Sequence, residues 1–342
     1  MEGSGFTVGD ILKALDDMTG GRLVKGPKDT CGGNPFVVTK TSGIPGKAVT
    51  ELPGLVWGQP DRPVRRLAVL MTLTENDIEL AAATGVDCLL AHHPVADAAN
   101  SGGVTLKNYL DLYGLSVIEL HEAFHGLHPG IAWLHGHRAV EVDIRWGGIP
   151  GNIVYFGETL PGVDTLKDML ERLDALMDLS TECRVLEAER ALRNCPDILD
   201  ACVSSKGCIL LGKEENSVRK VIHIFPHTGF SPEHLEEAVK AHPGTDTVLA
   251  TISRSRPESR LVKKAAELGL NFVCGNSHSL EILENGLPLA WGLSMMLPGL
   301  DIRLFRERVT SFPLEAAGSA RSREYGKSMA ARYLVPSQSP ER

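Results

Sequence analysis

The chain has 342 residues, 43% of them hydrophobic, which is enough for two domains of ordinary size with substantial cores. Its formal net charge is −8, with acids and bases mixed and no basic run, so binding to a nucleic-acid backbone is disfavoured. No apolar stretch reaches the roughly 18 residues of a membrane span, Met1–Gly5 has no secretory character, and the seven cysteines form no C-x-x-C pair, so a reducing cytoplasm is expected.

In chain order, Ile11, Leu12 and Leu15 form one apolar stripe and predict a helix from about Val8 to Met18, ended by Gly20 and Gly21. The stretch to Pro63 is rich in Gly, Pro and Thr and reads as loops and short strands. Arg66 to Met71 reads as a strand. Thr74 with Asp77 resembles a capping box that opens a helix, with Gly85 suited to its C-cap. Val86 to Ala91 is a second strand, Leu106 to Tyr113 a helix, and Leu115 to Leu120 a third strand. Further on, an amphipathic helix covers about Val163 to Met177, and a charged helical region covers Cys183 to Cys202. Arg219 to Phe225 is a strand, and Ser231 caps a helix with Pro232 in its first position. Thr245 to Ile252 is a strand, Pro257 to Leu268 a helix, and Leu270 to Cys274 a strand. The Ser- and Arg-rich tail after about Ala317 reads as a helical arm or a frayed end. Alternating strands and helices imply βαβ units and mostly parallel sheets.

Three strand ends concentrate chemistry. The second strand stops at Pro94, which cannot donate to a ladder, and delivers His92 and His93. Successive side chains on extended backbone point opposite ways, so these neighbours suit two metal ions or a bridged pair. The third strand delivers His121, Glu122 and His125. The strand ending at Cys274 leads to His278 and Glu281, which at i, i+3 on a first helical turn share one face. Ligands of open α/β sheets bind beyond the carboxyl ends of the strands. Taken singly, each residue has an ordinary explanation: a loop histidine, or a first-turn glutamate favoured by the helix dipole. Three strand ends offering the same donors point to a metal site.

The chain here resembles the Nif-three-like family, the dinuclear metal centre hexameric proteins also described as GTP cyclohydrolase 1 type 2 homologues. The resemblance begins at Gly54-Leu55-Val56-Trp57-Gly58 and is most specific at Ala91-His92-His93-Pro94. It resumes at Leu120-His121-Glu122-Ala123-Phe124-His125 and closes at Cys274-Gly275-Asn276-Ser277-His278-Ser279-Leu280-Glu281. It implies that His92, His93, His278 and Glu281 are ligands. His125 stands where the family has an aspartate, and Glu281 follows its histidine by three residues rather than four. Glu122 and Glu284 are the alternatives if either register slips. The family's Gly-Ser-Gly-like turn is replaced by Phe225-Pro226-His227-Thr228-Gly229, which makes His227 a candidate acid/base, although a plain loop histidine has equal claim. Arg254, Ser255 and Arg256 read more simply as a solvated loop than as an anion site.

The expected fold is α/β and Nif-three-like. Two lobes, at 1–150 and 151–316, would carry mostly parallel sheets around a dinuclear metal cleft, with an arm at 317–342. The expected activity is metal-dependent hydrolysis of an amide or ring C–N bond in a small polar substrate, with metal-activated hydroxide as nucleophile. Two divalent transition-metal ions (Zn, Fe, Mn, Ni or Co) would be held by His92, His93, His125, His278 and Glu281, with nitrogen-rich donors disfavouring Mg. His121, Glu122 and His227 would move protons. The resemblance further implies a homohexamer. The alternative is a non-catalytic metal-binding scaffold or metal chaperone.

Overall fold

The computed structural model describes residues 5–41, 48–95, 104–128, 130–143, 153–308 and 311–334. The chain divides into two compact units, one formed by Met1–Met177 with Gly207–Glu307 and the other by Asp178–Lys206 with Arg308–Arg342. The boundary expected at 150/151 lies outside the described residues. No helix among the described residues is long and apolar enough to cross a membrane.

The first unit holds two main sheets. The five-stranded sheet runs Asp301–Leu304, Arg66–Leu70, Cys88–Ala91, Ser116–Glu119, Gly54–Trp57, and every pair is parallel except the last. Its three central strands are buried on both faces, and the pleat sorts their side chains. Leu67, Val69, Cys88 and Leu90 face a core shared with Val8, Ile11 and Leu15, while Ala68, Leu70, Leu89 and Ala91 face Ile78, Ala81, Leu106 and Leu110. A strand covered by helices on both sides reads as an unbroken apolar run, which is why Cys88-Leu89-Leu90-Ala91 carries no polar alternation.

The six-stranded sheet runs Cys208–Leu211, Asn271–Ser277, Thr247–Ile252, Lys220–Ile224, Val154–Thr159, His137–Asp143. Only its three central strands are mutually parallel, and both edges are antiparallel. The βαβ pattern predicts the centre correctly. The edges differ because the helix Leu166–Leu176 is followed by no parallel crossover, and Cys208–Leu211 instead runs back along Phe272–Cys274.

Local chemistry sets the helix boundaries. Thr74 and Asp77 form the predicted reciprocal box, with Asp77 N–H donating to Thr74 Oγ1 at 3.3 Å and Thr74 N–H to Asp77 Oδ2 at 2.9 Å. Gly85 ends that helix in the left-handed conformation at φ 67°. Two starts are later than the apolar pattern suggests. Leu166 begins its helix because Thr165 and Asp168 cap it. Arg260, not Pro257, begins the next, because the Ser259 hydroxyl accepts from Val262 N–H at 3.3 Å.

In the second unit, the helix Leu179–Arg193 stops at left-handed Asn194 and packs Leu186 against Cys195 and Ile198. The tail expected to be an arm is helical over Ala320–Met329, and residues 335–342 lie outside the described residues.

Candidate metal centre

The sheet ladder continues into the paired histidines. His92 N–H donates to Leu70 O at 3.0 Å and His93 N–H to Met71 O at 2.8 Å, so the alternation of the strand carries into both side chains. His92 is fully buried, edge-on to Phe124. His93 turns to Thr72, whose Oγ1 lies 2.8 Å from Nδ1. His92 Nδ1 lies 2.9 Å from Leu120 O. A carbonyl only accepts, so Nδ1 carries the proton and Nε2 presents its lone pair. Burial, then the neighbouring His121, holds His92 well below the ordinary imidazole pKa and keeps it neutral.

His121 and His125 share a turn in which Phe124 N–H and His125 N–H both bond to His121 O, at 2.8 and 3.3 Å. That winding brings the two rings to 4.5 Å between centroids. Arg22 secures the turn by donating to Ala123 O at 3.1 Å and His125 O at 3.2 Å. Carboxylates orient the rings: Glu51 Oε2 is 2.9 Å from His121 Nδ1, and Glu122 Oε2 is 3.3 Å from His125 Nδ1. Burial opposes ionisation of Glu122, but the hydrogen bond and charge of His125 outweigh it and hold the carboxyl below its ordinary value.

His278 and Glu281 follow from the end of Asn271–Ser277 in the other sheet. A 3₁₀ turn at His278–Leu280 leads into a π-turn at Ile282–Gly286, a conformation often found at functional positions. His278 also bonds to the Ile252 backbone. Ile252 sits at φ 65°, a genuine outlier for a β-branched residue, at the point where its strand pairs with Ser277.

Three groups of donors result. One atom from each of His92, His121 and His125 lies within 4.8 Å of the others, and the same holds for His93, His278 and Glu281. A third group, Glu51, His121 and Glu122, overlaps the first. Glu281 joins the first two. Its Oε2 is 3.0 Å from His93 Nε2 and 3.8 Å from His278 Nε2, while Oε1 is 3.8 Å from His92 Nε2 and accepts from Asn285 Nδ2 at 3.1 Å. Burial opposes ionisation of Glu281, yet the hydrogen bond from His93 and the surrounding imidazoles hold its carboxyl at about 2. Imidazole nitrogens beside an ionised carboxylate are the donor set that divalent transition metals take.

All five sequence-derived ligand candidates therefore meet at one place. His121, expected to carry protons, also stands among the donors. His227 is exposed at the rim with its ring 5.1 Å from His278, and desolvation of that ring, then His278, lowers its pKa to about 4. Glu284, the alternative ligand, turns the other way and accepts from Asn276 Nδ2 at 3.1 Å. Arg254 donates to Cys208 Sγ at 3.3 Å. Sequence reasoning missed Glu51, Thr72 and Asn285. Asn285 had a signal, four residues beyond Glu281, but nothing local to Glu51 or Thr72 predicts contact with His121 or His93.

Among solved structures, reduced HcgD from Methanocaldococcus jannaschii is similar over 88% of this chain and 98% of its own, with TM-score 0.55 and 17% identity. A hypothetical protein of Staphylococcus aureus covers 91% and 99% at TM-score 0.55 and 13% identity. The Bacillus cereus protein related to NIF3 covers 90% and 98% at TM-score 0.54 and 12% identity. This chain has the Nif-three-like fold. No family model matches the sequence, and no curated protein does. At such identities the likeness speaks for the Nif-three-like architecture alone, and function must be argued from the side chains.

Proposed function

We propose that the protein is a hydrolase using two divalent transition-metal ions (Zn, Fe, Mn, Ni or Co) to cleave an amide or ring C–N bond of a small polar molecule. The observation that carries this reading is Glu281, whose two oxygens face different imidazoles, His92 and His93, from two three-donor groups. His92, His121 and His125 would hold one ion, and His93, His278 and Glu281 the other. Bound there, the ions supply Lewis acidity and bring the pKa of water towards neutrality.

Three protein donors per ion is the count of catalytic zinc, whereas structural zinc takes four. Glu51 and Glu122 fix the ring orientations of His121 and His125, the outer-shell role that raises ligand basicity. Glu122, ionised and beside His125, can accept a proton at the site. His227, neutral near pH 7, can accept one at the rim. Small substrate, cytoplasmic location and homohexameric assembly belong to the same proposal, the last resting on the family resemblance.

The test is to assay the metal-loaded full-length protein against amides, lactams and nucleotide-derived ring substrates. Hydrolysis should disappear with His93→Ala or chelation, and fall with His227→Ala while metal content is retained. Inertness across the panel, with X-ray absorption showing ions saturated by protein donors, would establish the non-catalytic scaffold instead.

A further inference from the structure

Away from the metal centre, the antiparallel pairing of Cys208–Leu211 with Asn271–Ser277 places Cys208 directly opposite Cys274. Directly opposed residues have Cα atoms roughly 4.5–5.5 Å apart and side chains on the same face, within the roughly 4.4–6.8 Å that a disulfide spans. The two thiols are not equivalent. Cys208 is partly exposed on the edge strand, while Cys274 is buried with Sγ 3.9 Å from Ser255 O. Arg254 Nη1 donates to Cys208 Sγ at 3.3 Å. The thiol of Cys274 and then the Arg254 charge lower Cys208 to about 6, while Cys274 is pushed up by its contact with Cys208 and by burial. An accessible thiol beside a cation, backed by a second thiol, is the arrangement of reactive cysteines. Cys88 is the contrast: burial, then Asp87, pushes it up to about 12.

We propose that Cys208 and Cys274 form a peroxide-reactive dithiol, Cys208 attacking small hydroperoxides and Cys274 resolving the product. The Cys208 thiolate attacks the terminal oxygen of the hydroperoxide. The O–O bond breaks, the alkoxide (or hydroxide) leaves and takes a proton, and Cys208 becomes a sulfenic acid. The Cys274 sulfur then attacks Cys208 Sγ, the S–O bond breaks, and the departing hydroxide takes the Cys274 proton as water. The two thiols lose two electrons to form one disulfide, and the hydroperoxide gains them to give an alcohol (or water) and water. The reaction is independent of the metal centre, although Cys274 lies on the strand that leads to His278.

The experiment treats metal-loaded full-length protein with one equivalent of hydrogen peroxide, alkylates the remaining thiols and maps the peptides. A Cys208–Cys274 cross-link should appear, with intact mass lower by two hydrogens and metal content unchanged. In Cys274→Ser the sulfenic acid should persist at Cys208 and be captured by a cyclic 1,3-dione. Arg254→Gln should slow alkylation of Cys208 at pH 7 by about fivefold. Cys183 and Cys202, whose sulfurs lie 2.8 Å apart in the second unit, are the internal comparison. Oxidation of that pair with Cys208 and Cys274 left reduced would overturn the proposal. If Cys274→Ser does not fold, the peptide map of the unaltered protein decides: a Cys208–Cys274 cross-link supports the dithiol, and peroxide consumed with both cysteines still alkylated removes it.

Discussion

Glu281 Oε2 lies 3.0 Å from His93 Nε2, a contact between residues 188 positions apart. It joins the strand end of one sheet to the strand end of the other, so the proposed centre cannot form until both sheets are built. Glu281→Gln keeps the shape of this contact and removes the charge. The variant should therefore retain the fold but hold well under two ions per chain, where the unaltered protein should hold about two. Metal analysis by mass spectrometry checks this, together with the melting shift on metal addition, about 2.7 kcal/mol of stabilisation at a hundredfold excess over Kd. Full metal content in the variant would show that the carboxylate is not a ligand.

His125 stands where the family resemblance implies an aspartate, and its ring faces both His121 and His92. His125→Ala should lose metal from the His92, His121 and His125 group. His125→Asp should keep binding and shift preference towards Mn or Mg, because a carboxylate oxygen is the harder donor. Competition titrations with paired metals read the difference, and equal affinities in all three proteins would make His125 a bystander.

Acid should destabilise the protein through imidazoles outside the metal centre. His135, His137 and His223 are fully buried, and burial lowers them from 6.5 to about 4, about 3 and well below the ordinary value, respectively. Below pH 6.5 the unfolded chain binds protons that the folded protein refuses. Stability from these groups is complete above about pH 6.5 and declines as pH falls towards 4 and 3. Chelator-treated protein should show a falling melting temperature over that range, and His223→Gln should reduce the slope. A flat profile would contradict the assignment.

Glu284 should behave in the opposite sense. It is fully buried, and burial, reinforced by Glu281, raises its pKa to about 8, so it is protonated at neutral pH. The unfolded chain releases that proton near 4.5, so stability falls as pH rises from about 4.5 to 8, by roughly 1.4 kcal/mol per pH unit. Glu284→Gln preserves an acceptor for Asn276 Nδ2 and cannot ionise. It should leave stability nearly unchanged near pH 5 and raise it by a few kcal/mol at pH 8, measured by urea denaturation. Lower stability than the unaltered protein at pH 8 would show that the carboxyl is ionised.

The sequence by itself determined the features that depend on near neighbours. Alternation of apolar strands with capped helices, the Thr74 and Asp77 box, the stop at Gly85, and the strand running into His92-His93-Pro94 were all legible, because each rests on contacts a few residues apart. So was the candidacy of His92, His93, His125, His278 and Glu281, because strand ends are where such sheets present ligands. Partners set by long-range packing were not legible. Glu51 reaches His121 across 70 positions, Thr72 meets His93 only because their strands are adjacent, and His121 joins the donors through the winding of its own turn. The direction of the edge strands and the turning of Glu284 away from the donors were likewise decided in the tertiary structure. Local sequence fixes which backbone conformations are cheap, but which side chains meet depends on how two sheets and their helices exclude water together.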